Sequence, residues 1–263
     1  MKNNLLLRKW LERFSRGKVL KRRLPANFQS LPMYVSPEAV LGYWKAFLGH
    51  NWNDLFEFAQ DYVQPGQIVW DVGANLGVFS VCAATRVGVS GKVLAIEPDS
   101  WSADLLRKSK VLNDEKLSHL NILQVAVSDK ISVEELEIPE RGRAGTHLKI
   151  AGGAGKSLIG SAREILLVPT LPLDWIAERF EPPDVLKVDV DGAERMALEG
   201  GANMLARSRP ILFIEVYERN ADWVAQFLRQ LNYELFDFDT PKSRRVPIQR
   251  AVYNTLALPR RQN

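Results

Sequence analysis

Residues 68–77 read Ile-Val-Trp-Asp-Val-Gly-Ala-Asn-Leu-Gly: an apolar run, Ile68–Val72, that stops on a glycine turn and opens into the alanine-rich stretch Val78–Thr85. A buried strand followed at once by a helix is the first unit of a parallel sheet. Gly73 permits the tight turn, and Gly77 permits close packing of helix, strand and ligand backbone. The alternation continues. Strands are expected at Val93–Glu97, Ile122–Val127, Val185–Val190, Ile211–Val216, Tyr233–Phe238 and Tyr253–Leu258, with helices at Ser102–Leu112, Ala193–Leu205 and Ala221–Leu231. This predicts an α/β fold: a mostly parallel seven-stranded sheet with helices on both faces. The last two strands have no helix between them and should pair antiparallel at one edge.

Composition bounds the rest. Apolar residues make up 46% of the 263 and charged residues 25%, which excludes a largely disordered chain. No apolar run approaches the roughly 18 residues of a membrane-spanning helix. One cysteine, Cys82, excludes an internal disulfide framework and a cysteine-built zinc site, and it fits a reducing, cytoplasmic setting. Three histidines (His50, His119, His147) argue against a histidine-only metal site. Residues 1–23 hold nine Lys or Arg and one Glu, so the remaining 240 are net acidic, and a nucleic-acid partner is not expected.

Residues 1–35 read as a basic N-terminal arm and connector. Leu7, Trp10, Leu11 and Phe14 share one helical face, with Arg8, Lys9, Arg13 and Arg16 around it. Such a helix either packs on its own domain or lies on an anionic membrane surface through residues 1–23. Residues 36–66 read as an aromatic-rich helical cap, with Ser36 as N-cap, Pro37 opening the helix, and Tyr43, Trp44, Phe47, Trp52, Phe56 and Phe58 following. The main domain is 67–263, with an insertion at 130–182 and a flexible surface loop around Gly152–Ser157, whose glycines lack the spacing of a phosphate loop.

Ligands of such sheets bind beyond the carboxyl ends of the strands. Glu97 ends the second strand 20 residues after Gly77, where a carboxylate can accept both ribose hydroxyls of an adenosine ligand. Asp71 would repel a pyrophosphate and attract a cation, which favours S-adenosylmethionine over NAD(P). The alternatives are an NAD(P)-linked oxidoreductase and a non-catalytic membrane- or partner-binding module.

With these residues in place, the sequence resembles the FkbM-type family of S-adenosylmethionine-dependent methyltransferases. The matching segments are VWDVGANLGVFS (69–80), LAIEPD (94–99), VAVSD (125–129), LPLDWI (171–176), VLKVDVDGAERMALEGG (185–201) and ILFIEV (211–216). The resemblance implies a Rossmann-like class I methyltransferase fold and methyl transfer to a hydroxyl of a sugar, glycolipid or natural product. One departure stands at Asp191, where the family usually has Glu. Candidate cofactor-binding residues are Asp71, Gly73, Asn75, Gly77, Glu97, Pro98, Ala126 and Asp189.

Removing the acceptor proton needs a base. Asp189, Asp191 and His147 are the candidate catalytic residues, with Glu215 also in reach of the same sheet edge. A divalent metal on Asp189, Asp191 and Glu215 is a minority alternative. Lys187 lies between strand carboxylates: either these form a structural ion pair that holds the strand to its helix, or Asp189 or Asp191 sits near the sulfonium and accepts the hydroxyl proton. Glu194 suits the start of a helix and is expected to pair with Lys187.

Overall fold

The computed structural model describes residues 13–44, 53–140, 142–152 and 161–260. Thirteen strands occur among them: β1 (Leu20–Arg23), β2 (Pro32–Val35), β3 (Ile68–Val72), β4 (Lys92–Ile96), β5 (Leu120–Leu123), β6 (Ala126–Val127), β7 (Ser132–Pro139), β8 (His147–Leu148), β9 (Ala162–Leu171), β10 (Val185–Val188), β11 (Ile211–Glu215), β12 (Tyr233–Asp237) and β13 (Asn254–Pro259). No helix among the described residues is long and apolar enough to cross a membrane.

Seven strands form the main sheet, in the order β12-β13-β11-β10-β3-β4-β5. The central pairs β3–β4, β3–β10 and β10–β11 are parallel. The last two strands do pair antiparallel at one side, and β13 sits one place in from the edge, antiparallel to both β11 and β12. Side chains of β3 alternate between two cores because the pleat has period two. Val69 joins a core with Phe58, Phe79, Phe213 and Leu106, under the helices Asn53–Tyr62, Val78–Val87 and Ser100–Leu112. Trp70 and Val72 join the other, with Leu186, Leu198, Leu205 and Leu228, under the Glu194–Glu199, Ala202–Ser208 and Ala221–Gln230 helices. Strand order reverses between β3 and β10, which opens a crevice beyond their carboxyl ends.

Several expectations need correction. The single third strand is two: the chain leaves the main sheet after Leu123, and Ala126–Val127 pairs with β9 instead. The 130–182 insertion contains a second, four-stranded sheet, β6-β9-β7-β8, with buried Leu136, Leu148 and Val168 facing inward. Its hairpin partners are joined by a long connection rather than a turn, so no turn signal announces them. The Ala193–Leu205 helix breaks at Gly200–Gly201, because the Gly200 backbone presses on Ser128: an added Cβ would lie 2.2 Å from its carbonyl oxygen. The 25–35 connector is a short helical turn and a strand, with Phe28, Leu31, Met33 and Val35 buried in the main core. Ser36 caps a turn, its Oγ accepting from the Glu38 N–H at 3.1 Å, but residues 37–44 form no α-helix; Leu41–Trp44 is a single 3-10 turn. The predicted helix face of Leu7, Trp10 and Leu11, the aromatics Phe47 and Trp52, and most of the Gly152–Ser157 loop lie outside the described residues.

Candidate active site

The glycine turn hangs on the neighbouring strand: the Gly73 and Ala74 N–H groups donate to the Ile96 carbonyl at 2.9 and 3.0 Å. Gly73 has φ +76°, and a Cβ there would lie 1.7 Å from the Asp189 carbonyl oxygen. Only glycine lets the ends of β3 and β10 approach this closely. Gly77 serves a different end. A Cβ on it would sit 2.2 Å from Leu106 Cδ1, so it seats the Ser100–Leu112 helix and does not line the cleft.

Behind the turn, Lys187 is 3% exposed. Its ammonium reaches Asp71 Oδ1 at 3.2 Å, Asp189 Oδ2 at 3.3 Å and the Gly73 carbonyl at 3.1 Å. Burial by itself would push the Lys187 pKa down; the carboxylates of Asp71 and Asp189 more than reverse this and leave it raised. Asp71 also accepts from the Ser80 hydroxyl at 2.5 Å and is fully buried. It therefore does not face a ligand as its position in sequence suggested: its charge is matched inside the protein. Glu194 does not reach Lys187 either. It accepts from the Gly192 N–H at 2.7 Å and from the Asn220 side chain, closing the loop after β10.

In front of the turn lies a cleft of about 680 Å³, mouth included. Gly73, Asn75, Glu97, Pro98, Ala126, His147, Asp189 and Asp191 all line it, so the structure brings together most of the residues singled out above. Glu97 accepts from the Asn75 N–H at 2.6 Å and the Asp99 N–H at 2.8 Å. Burial pushes its carboxyl up to about 8, although both amide bonds oppose the rise. Asn75 holds a left-handed backbone, φ 51°, and its Oδ1 is buried with no partner.

The far wall comes from the insertion. Leu136, Arg143, Thr146, His147 and Leu148 close over the cleft. Arg143 Nη1 reaches both Asp99 carboxylate oxygens at 2.7 Å while its guanidinium lies over the Trp101 ring. Asp99 caps the Ser100–Leu112 helix by accepting from the Trp101 N–H. His147 Nδ1 lies 2.8 Å from the Gly145 carbonyl, which can only accept, so that nitrogen carries the proton. Its Nε2 is 3.5 Å from Glu137. His147 is thus a wall residue of the cleft and not a surface histidine.

At the other end, Asp191 has φ 45°, turning the chain away from the pleat of β10. It accepts from the Tyr217 hydroxyl at 2.6 Å. Burial, then the nearby Asp189 charge, raises the Asp191 carboxyl well above the ordinary range. Burial and Asp189 likewise push Glu215 up to about 7, and the Tyr253 hydroxyl donates to it. Glu215 does not line the cleft. Among the described residues no three ligating side chains converge on one point, so Asp189, Asp191 and Glu215 are not assembled as a metal triad.

Sequence reasoning missed Arg143, Thr146 and Tyr217. The helix after β4 begins at Ser100, two residues before the expected Ser102, and Asp99 is its cap. Arg143 and Thr146 carry no local signal, because they reach the cleft only through the pairing of β7 with β8. Tyr217 follows β11 and meets Asp191 only across the sheet edge.

The lining fits S-adenosylmethionine. A buried carboxylate stands at the second strand end, apolar Pro98, Val125 and Val127 offer a slot for a base, and the unpartnered Asn75 Oδ1 and Thr146 hydroxyl await polar groups.

The profile of the Methyltransferase FkbM domain matches residues 71–235. The hexuronic acid methyltransferase AglP of Haloferax volcanii is 25% identical over 166 residues, 62% of either chain. The chain thus spans under two thirds of the length of that curated relative. Among solved structures, methyltransferase FkbM from Methylobacillus flagellatus superposes with a TM-score of 0.47 at 16% identity, over 77% of this chain and 49% of that one. An S-adenosylmethionine-dependent O-methyltransferase from Thermotoga maritima gives 0.44 at 15%, over 88% and 76%. From the glycine turn to β12, this chain belongs to the FkbM family of S-adenosylmethionine-dependent methyltransferases.

Proposed function

We propose that the protein transfers a methyl group from S-adenosylmethionine to a hydroxyl of a sugar, glycolipid or natural-product acceptor. The observation that carries this reading is the pairing, across one cleft, of an amide-held Glu97 with the carboxylates Asp189 and Asp191. The first suits a ribose, and the second suits a hydroxyl that must lose its proton. The relative AglP, whose name specifies a hexuronic acid, supports a sugar as the acceptor class.

Bound S-adenosylmethionine supplies a methyl on a positively charged sulfur, an already activated group. The protein has to hold the acceptor oxygen in line and take its proton. Glu97, Asn75 and Gly73 would hold the nucleoside and its amino-acid end, with Pro98 and Ala126 against the base. Asp191 is the proposed base: its surroundings raise its proton affinity, and Tyr217 orients it. Asp189 is committed to Lys187 and serves mainly to hold the end of β10 in place. His147, across the cleft, is the second candidate base.

Calorimetric titration with S-adenosylhomocysteine and with NADH tests the cofactor assignment: binding of the first alone is expected, and tight binding of NADH alone would overturn it. Mass spectrometry over a panel of sugar, glycolipid and polyketide acceptors should then show a gain of one methyl. Transfer to no hydroxyl in any class, by protein that binds S-adenosylhomocysteine, would reject the acceptor assignment and favour a non-catalytic member.

A further inference from the structure

The first described residues, 13–23, carry six cations and no carboxylate: Arg13, Arg16, Lys18, Lys21, Arg22 and Arg23. The strand β1 sorts them. Leu20 and Arg22 point inward, Arg22 donating to the Tyr43 carbonyl, while Lys21 and Arg23 point out. Val19 precedes them on that outer face and is 44% exposed. Phe14, with Lys18 over its ring, is 51% exposed. None of the five outward cations has a carboxylate partner among the described residues: Arg16 and Arg23 donate only to the carbonyls of Glu140 and Ser30. Unmatched cations interleaved with exposed apolar side chains form a surface that suits neither water alone nor a purely ionic polymer. It suits the headgroup layer of an anionic bilayer, where charge and apolar insertion act together.

This surface adjoins the cleft. The Gly17 N–H donates to Glu38 at 2.6 Å, and Glu38 takes Arg163 at 2.5 Å and Arg143 at 3.4 Å. Arg143 is itself a wall of the cleft. From the patch to the wall is therefore one buried carboxylate. The other three cations of the arm, Lys2, Arg8 and Lys9, lie upstream in residues 1–12, which also hold Leu5, Leu6, Leu7, Trp10 and Leu11. We infer that the outer face formed by Phe14, Lys18, Val19, Lys21 and Arg23 docks the protein on an anionic membrane surface, with the insertion side of the cleft next to the bilayer.

The test uses the full chain and sedimentation with vesicles of phosphatidylcholine, with and without about a third phosphatidylglycerol. Binding to the anionic vesicles only, weakening as salt rises to about 0.5 M, is expected. Each basic residue near the surface contributes roughly five-fold, so the double variant Lys21→Glu/Arg23→Glu should lose about 25-fold or more. The double variant Arg207→Glu/Arg244→Glu makes the same change of net charge on exposed positions elsewhere and should bind as the parent does. Circular dichroism and S-adenosylhomocysteine affinity, unchanged in both variants, confirm that they fold. Equal loss in the two doubles, absence of binding at low salt, or binding to single-stranded RNA in place of vesicles would each overturn the inference.

Discussion

One guanidinium nitrogen of Arg143 contacts both carboxylate oxygens of Asp99 at 2.7 Å, tying the wall of the cleft to the loop that carries Glu97. The pair is nearly buried, with Asp99 1% exposed. Removing the cation leaves an unmatched charge next to the carboxylate assigned to the ribose. Arg143→Gln should therefore weaken S-adenosylhomocysteine binding by at least tenfold and lower stability by about 3 kcal/mol. At saturating cofactor, kcat should fall much less than KM rises. Arg143→Lys should restore part of the binding, and equal binding by parent and Gln variant would disprove the coupling.

Glu97 makes cofactor binding depend on pH. Its folded pKa, about 8, stands above the ordinary 4.5. A group raised in this way contributes stability that is full below about 4.5 and lost as pH rises through about 8. The urea midpoint of the ligand-free protein should fall between pH 6 and 9, while affinity for the ribose should rise as the carboxylate forms. Glu97→Gln should flatten both trends and cost tenfold or more in affinity, because its amide NH₂ would face the Asn75 or Asp99 N–H. Isothermal titration across that pH range measures the second trend.

Lys187 is the only described cation within salt-bridge distance of Asp71. Lys187→Met should destabilise the protein by about 3–5 kcal/mol in denaturant titration, since it strands a fully buried carboxylate. Adding Asp71→Asn should recover part of the loss. A Lys187→Met protein of parental stability would show that the pair contributes nothing.

The Tyr217 hydroxyl lowers the pKa of Asp191, against the larger upward push of burial. In Tyr217→Phe the pH at which kcat reaches half its maximum should move up by about one unit, with cofactor affinity unchanged. Asp191→Asn should bind S-adenosylhomocysteine normally and lose at least a hundredfold in kcat. Parental turnover in Asp191→Asn would transfer the base to His147.

Gly73→Ala places a methyl where the Asp189 carbonyl stands, 1.7 Å away, at φ +76°. The ends of β3 and β10 must part to admit it. Loss of S-adenosylhomocysteine binding and a lower thermal midpoint are expected, and intact binding in Gly73→Ala would contradict the close approach.

Much of the fold and of the cleft is legible in the amino-acid sequence. Ile68–Val72 matches β3 residue for residue, since a run of apolar side chains between polar turns has one stable place, the middle of a sheet. Gly73, Asn75, Glu97, Asp189 and Asp191 stand out because the motifs that carry them lie at strand ends, where local sequence sets both the turn and the side chain that follows it. Asp71 shows the boundary of such reasoning. Its place in the motif is evident, but not its partner, because Lys187 is 116 positions away and reaches it only through the parallel register of β3 with β10.

The chain's own pattern thus determined the α/β alternation, the glycine turn and the acidic strand ends, all of which follow from period, turn geometry and residues within about 20 positions of one another. Tertiary structure alone decided which charges face the cleft and which are spent inside, and that the insertion is a sheet supplying Arg143, Thr146 and His147 to the wall. The first depends on the parallel register of β3 with β10, and the second on the burial of Leu136, Leu148 and Val168 against one another. No local propensity encodes such a choice.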